Sequence, residues 1–317
     1  MIRFVVRRCL GALVVLAVAS VAVFSLLQLA PGDPASLLAG ADASPETIAA
    51  IRQQLGLDRP PVVQYFAWLG SLFTGDLGTS FTYHRPVAEL IGQRLASTLE
   101  LTLAATLLMT VLGVALGVVL ATTRSTTLRR AVDGLATFLL ALPPFASGII
   151  LIFLFAIVWG VLPSGGEASL VTQPESSVRR LILPAIALAL PAAPVIGNLL
   201  ATEMAQSRDQ EFVLTARAKG ASARRITWRH VVPNSLNSPL IELGIHIGNL
   251  LGGAVVAEAI FTRNGLGTLL IQAVETRDYQ LAQVLLLIAI AVAIIIQLVA
   301  ELIIARIDPR IRLETAS

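Results

Sequence analysis

Apolar, uncharged runs recur along the chain at 9–30, 101–123, 134–159, 181–202 and 279–300. Each holds roughly twenty residues or more, enough for a helix to cross a hydrocarbon layer of about 30 Å. A sixth run, 240–261, contains His246 and Asn249 and carries Glu242 and Glu258 near its ends. Its length and its Gly, Val and Leu content still fit a span packed among other helices. The pattern predicts an all-α integral membrane protein with six transmembrane helices. The first run, with its basic start, reads as a retained helix rather than a cleaved signal, because its apolar stretch is longer than a signal core.

The polar interruption between the fourth and fifth spans, residues 207–239, reads SRDQEFVLTARAKGASARRITWRHVVPNSLNSP. Two short helices are predicted in it. Ser207 opens the first, with Gln210 at capping-box spacing, and Gly220 stops it. Phe212, Ala216 and Lys219 recur at i, i+4 and i+7, a compact apolar and basic face for a partner. The second starts after Ser222, carries Arg224, Arg225, Arg229 and His230, and is expected to end at Pro233, whose ring and missing N–H break a helix interior. The basic residues have a second reading, as anchors against lipid headgroups.

The other long polar segment, 31–98, holds a helix with Ser44 as cap, Pro45 in its first turn and Gly56 as its stop. An amphipathic stretch with Tyr65, Phe66 and Trp68 follows, then a tight turn at 75–78. From residue chemistry this segment is either a lid or a docking surface and gate.

Hydrophobic residues make up 56% of the 317, charged residues 14%, and the mean hydropathy is +0.80, a balance that excludes a soluble domain. Most Lys and Arg residues fall on the side of 207–239, which places that loop and both termini in the cytoplasm. A net charge of +3 needs no nucleic acid to explain it. Cys9 is the one cysteine, so no internal disulfide forms. There is no GxxxxGK[ST] loop for nucleotide phosphates, and His84, His230 and His246 lack metal-ligand spacing. No catalytic constellation is present, no metal site is expected, and any ATP dependence has to come from a partner.

Within the fifth span Glu242, His246 and Asn249 share one helical face, and Gly244, Gly248 and Gly252 form a small-residue stripe on another. The polar face either lines a translocation pathway or is satisfied internally. Pro143, Pro144, Pro184, Pro191 and Pro194 are expected to kink their helices, with neighbouring side chains or water bonding to the freed carbonyls.

Several motifs in fixed order carry a resemblance: RFVVRRCL near the start, LAPGDP at 29–34, IRQQLGLDRPPVVQYFAWLGSLFTGDLGTSF in the polar segment, TARAKGASARRITWRHVVPNSL, LLGGAVVAEAIF at 250–261, GLG at 265–267, RDY at 277–279 and DPRIR at 308–312. Together they resemble the B-type permease subunit of dipeptide, oligopeptide and nickel ABC importers. The chain departs from the family at Leu214-Thr215-Ala216, where other importer branches have Glu-Ala-Ala, and at Arg263-Asn264-Gly265, where relatives often carry an aromatic-Pro-Gly turn. The resemblance implies a type I ABC-importer permease fold with an N-terminal region (1–97), a core transmembrane domain (98–306) and a cytoplasmic tail (307–317). It also implies an ATPase-coupling role for Phe212, Thr215, Ala216, Arg217, Ala218, Lys219, Gly220, Arg224, Arg225, His230 and Pro233. Expected partners are a second, C-type permease, two peptide-type ATPase subunits carrying ATP and Mg, an extracytoplasmic binding protein and the bilayer. The cargo reads as a peptide, with nickel or another small solute as the alternative, and a secondary transporter driven by an ion gradient as the competing class.

Overall fold

The computed structural model describes residues 2–28, 33–40, 43–54, 56–168 and 172–307. Most of the LAPGDP motif, the DPRIR motif and the rest of the tail lie outside the described residues. The chain enters through α1 (Ile2–Gln28) and forms three short helices, α2 (Pro34–Ala39), α3 (Pro45–Gln54) and α4 (Pro61–Phe73). Next come α5 (Val87–Thr122), α6 (Thr126–Ala141) and α7 (Pro144–Leu151), the last widening into a π-helical stretch over Ile152–Val158. After α8 (Pro174–Arg208) the polar insert folds as α9 (Glu211–Ala218), α10 (Ala223–Ile226), a π stretch (Thr227–Val231) and α11 (Val232–Asn234). The last elements are α12 (Asn237–Ile260), α13 (Leu266–Glu275) and α14 (Tyr279–Ile307).

Four helices, α1, α5, α8 and α14, are each long and apolar enough to cross a membrane, and two bent pairs bring the number of spans to as many as six among the described residues. The third expected span is no single helix: α6 and α7 meet at 107°. Pro143 is extended at φ −63°, ψ 147°, and Pro144 starts the new helix, so the double proline breaks the span instead of merely kinking it. The fifth span bends by 54° near residue 251.

By contrast α8 runs unbroken through Pro184, Pro191 and Pro194. Proline 191 has no N–H to give the carbonyl of Ala187. The Ser147 hydroxyl of α7 lies 3.0 Å from that oxygen and 2.8 Å from Pro144 O of its own helix, so its one proton is shared between the two and partly replaces the missing backbone bond. Ser147→Ala is expected to lower the melting temperature modestly, by about 1 kcal/mol of stability; scanning calorimetry of the purified protein checks it, and an unchanged melt would contradict this role.

The core is built on α8. Of its apolar window 67% is buried, against 17% for α1 and 22% for α14. Alanines 185, 189 and 192 and Ile196 meet Leu101, Ala105 and Met109 of α5 and Leu250, Ala254 and Ala257 of α12. Small side chains let the backbones approach where lipid supplies no hydrophobic drive for helix pairing. At Gly117 of α5 an added Cβ would stand 2.8 Å from the carbonyl oxygen of Gly197.

Contacts at the helix ends fix the topology. Arg208, at the end of α8, donates to the carbonyl of Ala121 near the end of α5 at 2.7 Å. Arg8 near the start of α1 pairs with Glu301 near the end of α14 at 3.2 Å. At the opposite end Asp278 caps α14, accepting from Leu281 N–H at 3.2 Å, and takes the Ser80 hydroxyl and the Thr82 N–H from the segment before α5. The start of α1 and the end of α14 therefore lie at the same end as the 207–239 insert. The other end is called the far end below.

The far end is covered by α2 to α4. Ser44 caps α3 through the Thr47 N–H at 3.2 Å, and Gly56, at φ +66°, stops it, as expected from sequence. Phe24 of α1 packs edge-on to Tyr65 and close to Trp68 of α4. Arg52, 2.8 Å from Asp33, holds the Asp33 carboxyl below the ordinary aspartate range. Because the folded value is depressed, this small contribution is present above the unfolded pKa of about 4 and is lost as pH falls through the lowered value.

Candidate functional site

The 207–239 insert is a folded platform rather than a free loop. Ser207 does not open its first helix, because α8 continues to Arg208; the Ser207 hydroxyl instead meets that of Ser235 at 2.9 Å. Gln210, in extended conformation, precedes α9. The end of α9 is as expected: Gly220 lies at φ +77°, its N–H donates to Arg217 O at 2.9 Å and the Ala221 N–H to Ala216 O at 3.1 Å. These two bonds form a Schellman closure, which a left-handed glycine makes without strain.

Pro233 does not end the second helix. Ser222 caps it through the Arg225 N–H at 3.3 Å, and the chain then widens into the π stretch over Thr227–Val231 before α11 carries Pro233 in its first turn. The wider turn opens the room that the proline ring needs against the preceding turn. The helical path ends at Ser235, whose hydroxyl donates to Val231 O at 2.8 Å.

Ala216 faces inward, not toward a partner. With Val213, Ile226, Val231 and Val232 it packs on Leu200 and Met204 of α8, and Val114 and Val118 of α5 join the same cluster. The face expected from the i, i+4, i+7 spacing is split: Ala216 is buried beside Val213, while Phe212 and Lys219 are exposed. The outward face presents Phe212, Leu214 and Trp228, all exposed, with Thr215, Arg217, Ala218, Lys219, Arg224 and Arg225 exposed around them. His230 is half-buried and Pro233 exposed. An added Cβ at Gly220 would meet nothing within 4 Å, so that edge is open.

Of the α12 residues, Glu242 and His246 lie together, Oε1 to Nε2 3.4 Å, close enough for charge interaction but outside hydrogen-bond geometry. Asn249 is exposed. The glycine stripe is interrupted. Gly244 closes on Ala300 of α14 and Gly248 faces Ala293 of the same helix, but Gly252 has open space beside it. The bend near residue 251 turns the helix after Gly248, so a regular wheel no longer tracks its faces.

Sequence reasoning missed the polar knot at the far end. Glu258, fully buried, accepts from the Thr98 hydroxyl at 2.6 Å and from the Gly267 and Thr268 N–H groups at 2.8 and 3.2 Å, capping α13. A carboxylate at a helix N-terminus is favoured by the macrodipole. Arg263, 1% exposed, donates to the Ser97 hydroxyl at 3.1 Å and lies 3.7 Å from Glu100. Gly265 and Gly267 give the room: a Cβ on Gly265 would fall on the Glu258 carboxylate. The signal was the pair of glycines nine residues or fewer after a span-end glutamate, read only as a turn.

This bundle with a folded polar platform at one end is that of an ABC-importer permease. Residues 113–313 match the family of binding-protein-dependent transport system inner membrane components, and residues 1–102 match the N-terminal family of the same membrane components. The chain belongs to this family of membrane permeases. A putative peptide transport system permease of Brucella abortus is 37% identical over 98% of this chain and 99% of its own length. The glutathione transport system permease of Salmonella typhimurium is 35% identical over 98% and 99%. Among solved structures, an inward-facing MetNI methionine ABC transporter superposes with a TM-score of 0.57 at 19% identity, covering 69% of this chain and 96% of that one. At that identity the likeness concerns the fold alone.

Proposed function

We propose that this chain is a permease subunit of an ATP-driven importer of peptides. The observation that carries the reading is its similarity, over nearly the whole chain, to permeases named for peptide and glutathione transport. On this reading a second, C-type permease completes the pore, two peptide-type ATPase subunits bring ATP and Mg, and an extracytoplasmic binding protein delivers cargo at the far end. The chain itself binds no cofactor. Both termini and the 207–239 platform lie in the cytoplasm, which the excess of Lys and Arg on that side supports. Residues 1–97 and 98–306 act as N-terminal region and core domain.

The test is uptake by the four-part complex in proteoliposomes. Labelled dipeptide or tripeptide should enter only with ATP and binding protein, and unlabelled peptide should compete where nickel does not; nickel uptake without peptide uptake would overturn the cargo.

The exposed Phe212, Leu214 and Trp228 face is the ATPase contact, with Arg217, Lys219, Arg224 and Arg225 around it. A side chain at Gly220 strains the left-handed backbone by about 1 kcal/mol, while its bulk projects into open space where an ATPase would sit. Gly220→Trp should therefore insert and fold yet hydrolyse ATP without uptake. Wild-type uptake in that variant would sink the contact. In α12, Asn249 is the exposed member of the polar face, so in a background without Cys9, Asn249→Cys should react with an aqueous thiol reagent in one transport state. No labelling in any state means it lies against lipid or protein rather than in a pathway.

A further inference from the structure

Helix α4 is built inside out. Val62, Val63, Phe66, Ala67, Gly70 and Phe73 share about 140° of its circumference at 3.6 residues per turn, and every one of them is exposed, Phe73 by 84%. No polar residue lies on that arc. The polar side chains turn the other way and are bonded there: Gln64 Nε2 donates to Arg59 O at 2.8 Å, the Tyr65 hydroxyl meets that of Ser20 at 2.9 Å, and Ser71 donates to Trp68 O at 2.8 Å. A helix on a water-facing surface has the opposite order, polar side out.

The ends of α4 are closed as well. Pro60 and Pro61 bring no N–H to the first turn, and Val63 and Gln64 donate back to Pro60 O at 2.9 and 3.1 Å. At the other end Gly75, at φ +80°, donates to Leu72 O at 3.2 Å and the Asp76 N–H to Ser71 O at 2.9 Å, a Schellman closure. Few backbone groups are left in need of water, the condition that hydrocarbon imposes. Residues 60–75 carry no charge, and the flanking Asp58, Arg59 and Asp76 are exposed just beyond the two ends.

The depth of the helix follows from its contact with α1, whose apolar span is Val5–Ser25. Ser20, the partner of Tyr65, stands five residues inside the far end of that span, about 7 Å along the axis. Helices at a bilayer boundary seat their apolar faces about 5–10 Å deep. Only 17% of the α1 span is buried, and Val14, Val18 and Val21 are exposed on it, so the apolar surface of α4 adjoins one that already faces lipid.

We infer that α4 is an interfacial anchor, its Val62, Phe66 and Phe73 face immersed in phospholipid acyl chains of the leaflet at the far end. This holds whatever the bundle transports.

The test uses the full chain in phosphatidylcholine nanodiscs, with Cys9→Ala and one nitroxide-labelled cysteine at a time, at Phe66→Cys or Phe73→Cys. Val62→Cys replaces either variant that is not monodisperse. Collisions of the label with oxygen, which concentrates in hydrocarbon, are compared with collisions with a water-soluble nickel chelate. Val14→Cys, exposed in the middle of the α1 span, is the lipid reference, and Asp58→Cys the water reference. The oxygen-to-nickel ratio at the α4 positions should match Val14→Cys and exceed Asp58→Cys. Nickel access like that of Asp58→Cys would put the face in water and overturn the inference; low access to both reagents would mean that protein covers it, and overturns it equally. In the four-part complex with binding protein the oxygen access should persist, and its loss on assembly would make the face a protein contact instead of a lipid one.

Discussion

Glu258→Ala is expected to lower stability by about 3 kcal/mol, because three buried donors lose their acceptor at about 1 kcal/mol or more each. The carboxylate is fully buried and accepts three hydrogen bonds, from Thr98, Gly267 and Thr268. Alanine leaves the two N–H groups at the start of α13 without an acceptor. Arg263 in the same knot is 1% exposed, and its Nε and Nη1 lack partners among the described residues, so little is left there to absorb the change. Glu258→Gln retains one acceptor oxygen and should fall between the two. Thermal unfolding in nanodiscs decides the matter: a Glu258→Ala protein that melts with the wild type would show that the far-end knot contributes nothing to holding α12, α13 and α5 together. Gly265→Ala should reproduce part of the loss by steric means, since its methyl occupies the carboxylate position.

What could be read from residues follows from how local each signal is. Six apolar runs report themselves through length alone, and the caps at Ser44, Ser222 and Gly220 are short-range hydrogen-bond patterns that the structure reproduces. The direction of the Ala216 face was hidden because it depends on Leu200 and Val114, residues on other helices. Pro233 was misjudged because a proline forbids a regular turn but not a widened one. The Gly252 position failed for a similar reason: a helical wheel assumes a straight axis, and the axis bends. Glu258, Thr98 and Arg263 are far apart in sequence, and no single-chain periodicity couples them.

Gly117→Leu is expected to prevent assembly of the bundle. A Cβ there stands 2.8 Å from the Gly197 carbonyl oxygen and 2.8 Å from the Leu200 Cβ, so the clash is with backbone and with the root of a side chain, neither of which swings aside. The α5–α8 contact is the most extensive among the described residues. Overpacking of a tight core costs about 1–3 kcal/mol per site where it can relax and more where backbones must separate. The outcome to look for is loss of a monodisperse peak on size-exclusion chromatography after membrane extraction. Gly134→Leu is the matched control, because nothing lies within 4 Å of a Cβ at Gly134; equal behaviour of the two variants would remove the packing argument.

Because the platform is fastened to the ends of α8 and α5, it cannot swing independently of them. The 35 residues of α8 make a rod about 52 Å long at 1.5 Å per residue, held near its middle by the alanine-lined core. A tilt of about 5° around that middle carries each tip about 2 Å in opposite directions on this length. The bundle thus has the mechanics of a first-class lever: a short stroke delivered at the platform emerges reversed, and undiminished, at the far end.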